Sequence, residues 1–384
     1  MKSFHLAALA ALGSFASALP SDISARQISS VVTGKPLGFA SGVTGGGNVA
    51  PVYPKNIADL KKYLTAKTPQ VIVISDTFNF VGSEGTKSFS ACNAYPCTPE
   101  NGGQSLLNTL GGCGSRPTFS VTLDAAGYQG INVASDKTLV GVGKNAVLNG
   151  KGLRMSGVSN VIIQNIKITN LNTKYVWGGD AISLSNTNNI WIDHVTTSNT
   201  GRQHYSLGQA PNLAVTISNS FLDGRTSQSA SCDGHTYWGM ELVGTNDAVT
   251  FYRNYVYYGS GRSPALSGGT FFHAINSVWA SNTGHAIEGS TTKGGVFEGC
   301  SFVNIKQVRV PDYKGALFAA TAANAGQCTA SLGRPCVANN FSGSGAFTDA
   351  NTSALAFLKG KNIPAAVSAN SISTITANAG NTLA

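Results

Sequence analysis

The sequence predicts an all-β chain folded as one domain, a parallel β-helix in which successive coils stack into a solenoid with a polar ladder and capped ends. Two observations carry this. First, a degenerate pentad recurs as Ile162-Ile163-Gln164-Asn165-Ile166, Trp191-Ile192-Asp193-His194-Val195, Ile217-Ser218-Asn219-Ser220-Phe221, Tyr252-Arg253-Asn254-Tyr255-Val256, Ala274-Ile275-Asn276-Ser277-Val278 and Glu298-Gly299-Cys300-Ser301-Phe302. The copies fall roughly 22 to 35 residues apart, a solenoid period. A single coil cannot bury its inward side chains, so coils stack strand on strand. A polar residue at one fixed place per coil can then bond to its equivalents above and below. Second, 45 Gly in 384 residues, with abundant Asn, Ser and Thr, favour short strands and turns over long helices. A β-sandwich would instead show strands about every 8 to 12 residues without a polar centre.

The N-terminus has its own character. Lys2, an Ala/Leu-rich run and Ala16-Ser17-Ala18 are expected to form a secretory signal peptide over residues 1–18. Residues 19–31 read as a pro-segment or flexible arm, leaving 32–384 as the β-helix domain. No later stretch is long and apolar enough to span a membrane, so a secreted, extracellular protein is expected. Asn56 to Lys67, with apolar residues at helical spacing, is the expected cap of one end. Asn351 to Gly360 and the tail beyond are expected over the other.

The net charge is +9, but Lys and Arg are scattered and form no run of nucleic-acid type. For a secreted monomer, an anionic polysaccharide is the expected acidic partner. Seven cysteines suit an oxidising compartment and give three bridges with one thiol left over. The leftover is expected to be Cys300, inside the strand-like Gly-Val-Phe-Glu-Gly-Cys-Ser-Phe-Val, as a buried structural thiol. The connectivity of the others cannot be read from spacing. Two sequons, at Asn340 and Asn351, are glycosylation candidates.

Sparse charge gathers in Trp177 to His204, where Asp180, Asp193, His194, Arg202 and His204 fall in a chain only 11% charged. Within it Trp191 reads as core, His194 as a structural histidine, and Asp193 as a hydrogen-bonding ladder residue. Trp177-Gly-Gly-Asp180-Ala-Ile, Trp191-Ile-Asp-His-Val195, Gly201-Arg202-Gln-His204, Asp233-Gly-His-Thr-Tyr237-Trp238-Gly and Ser260-Gly-Arg262-Ser-Pro264 together resemble the fungal pectin lyases of the pectate lyase superfamily. The likeness runs from about Gly34 to Gly380. It implies a right-handed parallel β-helix, eliminative cleavage of methyl-esterified polygalacturonan, and disulfides Cys92 to Cys113, Cys97 to Cys232 and Cys328 to Cys336.

β-Elimination removes the C5 proton of a uronate, α to the C6 carbonyl, and expels the oxygen at C4. It needs a base and a group to stabilise charge growing on the carbonyl oxygen. With C6 esterified, arginine can supply the second role without a metal. By the resemblance Arg262 is the expected base, Arg202 the carbonyl-side stabiliser and Asp180 the group that orients one or both. Free Arg stays protonated, so Arg262 would need burial beside a second cation. Pectate lyases hold Ca²⁺ with acids where Arg202 stands here, so no metal and no cofactor are expected. Trp177, Tyr237 and Trp238 are the expected sugar-binding rings. Ala265 replaces an expected Lys and Glu241 an expected aromatic, which points to an altered preference for methylation pattern. The alternatives are a non-catalytic or weakly active pectin-binding β-helix protein, a calcium-dependent pectate lyase and, without an adjacent Asp pair to support it, a polygalacturonase.

Overall fold

A computed structural model describes residues 27–290 and 293–384. The expected signal peptide and most of the expected arm lie outside the described residues. Among the described residues, one face of the solenoid is a ten-stranded parallel sheet, including in order Gln70–Ile74, Lys137–Gly141, Ser159–Gln164, Asn188–Asp193, Val215–Ser218, Ala248–Tyr252, Phe271–Ile275 and Gly294–Glu298. A second face runs through Lys167–Leu171, Thr196–Thr200, Phe221–Asp223 and Tyr255–Tyr257 to the long strand Val278–Gly289. A third runs through Leu153–Ser156, Ile182–Ser185, Tyr205–Leu207, Met240–Leu242 and Ala265–Leu266, and ends on that same long strand. The pairing between coils is parallel on all three faces, which makes the chain a parallel β-helix.

Alternation within each strand sorts the side chains. In Asn188–Asp193, Ile190 and Ile192 enter the main interior cluster, whereas Trp191 points outward. Trp191 is buried as expected, but not inside the helix. It lies under Ala40 and Val43 of the N-terminal segment, with its indole N–H donating to Ser218 Oγ at 2.9 Å. That segment crosses the outer face of the ten-stranded sheet on a row of threonines, donating from Phe39 N to Thr250, from Ala40 N to Thr216 and from Gly46 N to Thr138. Ile28, within the expected flexible arm, packs on the same patch.

The polar ladder is real, but its frame differs from the one that the pentads suggest. Gln164 pairs with Asp193, which pairs with Ser218, then Tyr252, Ile275 and Glu298. The residue after each of these has positive φ: Asn165, His194, Asn219, Arg253, Asn276 and Gly299. Asn is frequent there because it tolerates the left-handed conformation. One position further on, Ser220, Asn254, Ser277 and Cys300 point inward. Ser220 N donates to Asn254 Oδ1 at 2.8 Å and Asn254 N to Ser277 Oγ at 3.1 Å. A corner of three adjacent polar positions therefore stands where one had been inferred. Asp193 accepts from Gln164, Ser218 and Asn219, and contacts His194 Nδ1 at 2.7 Å, so both residues serve this corner.

The helix Ile57–Thr65 closes one end, with Asn56 accepting from Asp59 N and Leu60 and Leu64 fully buried against the interior. The other end departs from expectation. Phe347, packed on Phe297 and Phe302, joins the interior there. Thr352–Leu358 instead covers outward-facing Phe271, Val296 and Phe318. The tail then runs back along the solenoid, where Asn276 Nδ2 donates to Val367 O, Gly380 N to Asn219 O and Asn165 Nδ2 to Leu383 O. It binds the left-handed corners because their polar groups are the ones that strand pairing leaves over. The disulfides are those that the resemblance implies, and Cys300 is a buried free thiol whose pKa burial raises.

Near the far end, fully buried Glu298 accepts from His273 Nε2 at 3.1 Å and from both terminal nitrogens of Arg334 at 2.8 and 2.9 Å. Burial opposes its charge, but these bonds outweigh it and lower its pKa to about 2. A carboxyl lowered on folding stabilises the fold above its unfolded pKa, and this is lost as pH falls through the folded one. At about 1.4 kcal/mol per unit, the contribution is about 3 kcal/mol, lost between about pH 4.5 and 2. Urea titrations should therefore show wild type losing stability steeply across that window, with Glu298→Gln less stable at pH 6 and flatter below it.

Candidate active site

The outward positions of the third face form a straight row. Arg154 pairs with Ser183, Ser183 with Ser206, Ser206 with Glu241, Glu241 with Ala265, and Ala265 with Glu288. A four-stranded side sheet, Thr86–Cys92, Ser105–Leu107, Phe119–Asp124 and Tyr175–Val176, stands beside this row. Between them lies a cleft of about 320 Å³, lined in part by Tyr128, Arg154, Trp177, Asp180, Ser183 and Arg202. The bridge Cys97–Cys232 ties the side-sheet loop between Thr86–Cys92 and Ser105–Leu107 to the loop that carries Tyr237 and Trp238.

Arg202 is 6% exposed and fully engaged. Its Nε and Nη2 grip Asp180 at 2.9 and 2.6 Å, Nη1 reaches Glu241 Oε2 at 3.1 Å, and the guanidinium lies 3.6 Å over the Trp177 ring. Burial works against its charge, but Asp180 and then Glu241 more than offset this and raise its pKa. Asp180 Oδ1 also accepts from Gln203 N, fixing the carboxylate from the backbone.

Arg262 sits on the next coils. Its Nη1 donates to Glu241 Oε1 at 2.8 Å and its Nε to Glu288 Oε1 at 3.1 Å. It lies 5.0 Å over the Trp238 ring and 5.9 Å over Tyr237. The expected neighbour was a bare second cation; instead Glu241 stands between Arg202 and Arg262, and Glu288 adds a second carboxylate. Glu288 is held in turn by the Tyr237 hydroxyl at 2.6 Å and by His285 Nε2. Burial opposes its charge, but these partners and Arg262 lower its pKa, while burial and Glu288 raise that of Tyr237.

Backbone strain collects at the site. Trp177 and Arg262 have φ of 73° and 35°, costly for residues with side chains and sustained here by the pairs they make. Gly261 is required, since a Cβ there would lie 2.4 Å from the Tyr237 ring. Trp238 is buried, its indole N–H donating to Gln104 Oε1 at 2.8 Å and its ring packed edgewise on Tyr237. The structure thus joins Trp177, Asp180, Arg202, Tyr237, Trp238 and Arg262 in one contact network, of which Trp177, Asp180 and Arg202 line the cleft, and adds Glu241, Glu288, His285 and Gln104. The sequence held a signal for the first two: Glu241 between Met240 and Leu242, and Glu288 after Ile287, are polar positions in strands whose neighbours point inward.

The site does not suit a calcium ion at Asp180. Both of its oxygens are taken by the Arg202 guanidinium, a fixed cation, and among the described residues no cluster of three acidic, His or Cys ligands is present. Of the sequon residues, Asn351 is exposed and caps Thr352–Leu358, and Asn340 is half-buried in a short strand.

A family model described as pectate lyase matches residues 118–382. The chain is 62% identical over 356 residues to a probable pectin lyase E of Aspergillus niger, covering 92% of this chain and 96% of that one. It is 51% identical over 323 residues to a probable pectin lyase C of the same species, covering 84% and 86%. A solved pectate lyase from Bacillus sp. N165, in complex with trigalacturonate, shares the fold at a TM-score of 0.55 and 17% identity, covering 90% of this chain and 98% of that one. The chain belongs to the pectate lyase family, and the curated relatives it most resembles among these are fungal pectin lyases.

Asp180→Asn should cost about 3 kcal/mol of unfolding free energy, because it strips a buried guanidinium of its bidentate partner. Asp223→Asn, which breaks a pair whose Arg225 is 59% exposed, should cost under about 1 kcal/mol by the same urea denaturation.

Proposed function

We propose that the protein is a pectin lyase that cleaves methyl-esterified polygalacturonan by β-elimination and releases 4,5-unsaturated oligogalacturonides. The observation that supports this most is the pair of guanidiniums on the coils either side of the one that carries Glu241, both held by that carboxylate, at a site where Asp180 is already claimed by a cation. An arginine-lined site presents positive charge to an ester carbonyl, which carries no charge of its own to be neutralised by a metal.

In this reading Asp180 orients Arg202, and Arg202 stabilises charge building on the C6 carbonyl oxygen. Arg262 takes the C5 proton. The C5–H electrons form the C4=C5 double bond, and the C4–O bond breaks with its pair on the departing oxygen, which gains a proton from solvent. Only a neutral guanidine accepts a proton, so Glu241 and Glu288 have to yield their hold as substrate enters. Their grip on Arg262 favours a second reading, in which the guanidinium remains charged and Glu241 receives the proton. Trp177 and Tyr237 offer ring faces to sugar, and buried Trp238 supports Tyr237 from behind. The Lys2, Ala/Leu run and Ala16-Ser17-Ala18 of the N-terminus support export with cleavage after Ala18; the exported protein acts as a monomer, with residues 32–384 as the working domain and Asn340 and Asn351 as sites for glycans.

The reading is tested by incubating the protein with highly esterified pectin and following ultraviolet absorbance of the unsaturated product. Absorbance should rise equally with and without chelator, and Arg262→Ala should lower kcat by about 10²- to 10⁴-fold. Loss of the signal with chelator would refute the metal-free mechanism; binding of pectin without product would favour a non-catalytic protein.

A further inference from the structure

We propose that the cleft contains a subsite for a free, unesterified galacturonate carboxylate at Arg154, an inference that rests on the pectin lyase reading. Arg154 points outward from Leu153–Ser156 at one end of the row on the cleft floor. It is half-buried, and its Nη1 donates to the neutral amide of Asn132 at 3.0 Å. Among the described residues, no carboxylate lies within ion-pairing distance of it, and its Nε and Nη2 donate to no side chain. It lines the same cleft as Arg202 and Asp180, the other charged groups facing that end, and those two satisfy each other.

The far end of the row has the opposite character. Glu241 lies three coil steps from Arg154, about 14 Å at about 4.8 Å per strand, and Glu288 two steps beyond. A sugar chain laid along the row therefore passes from a guanidinium with no carboxylate partner to an alternation of carboxylates and guanidiniums that already pair with one another. Near Glu241 and Glu288 both guanidiniums are committed to carboxylates, so a free uronate finds no uncommitted cation and must compete with those acids, whereas a methyl ester needs none. At Arg154 the preference reverses, since a planar guanidinium with an open edge binds a carboxylate through two parallel bonds and gains little from an ester. The substrate class is thus a partly de-esterified pectin, with its free acid several sugars from the broken bond on the Arg154 side. Ester is required at the reacting sugar and towards Glu288.

The test uses the full-length enzyme and oligogalacturonates of one length that carry a single free carboxylate at successive positions, with all other sugars esterified. Cleavage positions are mapped by mass spectrometry and kcat/KM is taken relative to the fully esterified oligomer. Wild type should favour oligomers whose free acid lies at one fixed distance on one side of the broken bond. Arg154→Gln should lower that ratio about tenfold, the worth of about 1.4 kcal/mol, and Arg154→Lys should restore part of it. An unchanged ratio in Arg154→Gln, or equal tolerance of the free acid at every position, would overturn the subsite. Should wild type yield no unsaturated product even from the fully esterified oligomer, the lyase reading fails instead. Calorimetric binding of the same oligomers to wild type and both variants then decides on Arg154.

Discussion

Parallel pairing holds each coil about 4.8 Å from the next, with residues in fixed register, and this spacing governs both the core and the chemistry. Inside, it stacks Ile163, Ile192, Ile217 and Phe251 into one column. At the corner it stacks Ser220, Asn254 and Ser277, so that inward polar groups find partners in neighbouring coils rather than in water. Outside, it places Ser206, Glu241, Ala265 and Glu288 along one line. Residues far apart in sequence become neighbours without any long loop having to close on its own.

The site is an electrostatic consequence of that line. Two guanidiniums brought close would repel, and one of them, Arg202, is almost fully buried. Glu241 on the strand between them offsets both costs, and Asp180 and Glu288 complete an alternation of charges, carboxylate to guanidinium to carboxylate and on. Ala265 leaves room in the row beside Arg262; the absence of a longer side chain there lets one carboxylate follow another at two coil steps. The two changes from the expected family pattern, Glu241 and Ala265, are thus parts of one arrangement.

Much of this was legible in the sequence. The solenoid period, the first cap and the leftover Cys300 follow from pattern, and Asp180, Arg202 and Arg262, singled out by the resemblance, lie in one chain of ion pairs through Glu241. The frame of the ladder was not, because the pentads shift by one or two residues between coils and only the pairing of Asp193 with Ser218 and of Ser218 with Tyr252 reveals it. Nor was the placement of Trp191, whose outward burial depends on the N-terminal segment crossing a row of threonines. For Glu241 and Glu288 the outward position was legible but the role was not: each is an ordinary outward acid in its own strand, and its partner is fixed by coils not adjacent in sequence. The tail's path escaped too, since carbonyls and amides left over at turns are features of backbone geometry, not of residue type.

The central question is which of two groups takes the substrate proton: Arg262, with Glu241 acting only by holding it, or Glu241 itself beside a guanidinium that stays charged. A double-mutant cycle in kcat on highly esterified pectin, using Glu241→Gln, Arg262→Ala and the pair, tests it most directly. If Glu241 acts through Arg262, adding Glu241→Gln to an enzyme that already lacks Arg262 should change kcat by less than about twofold, whereas the single change in wild type alters it measurably. A full, additive loss in the double variant would contradict the account and assign Glu241 a direct part in the chemistry.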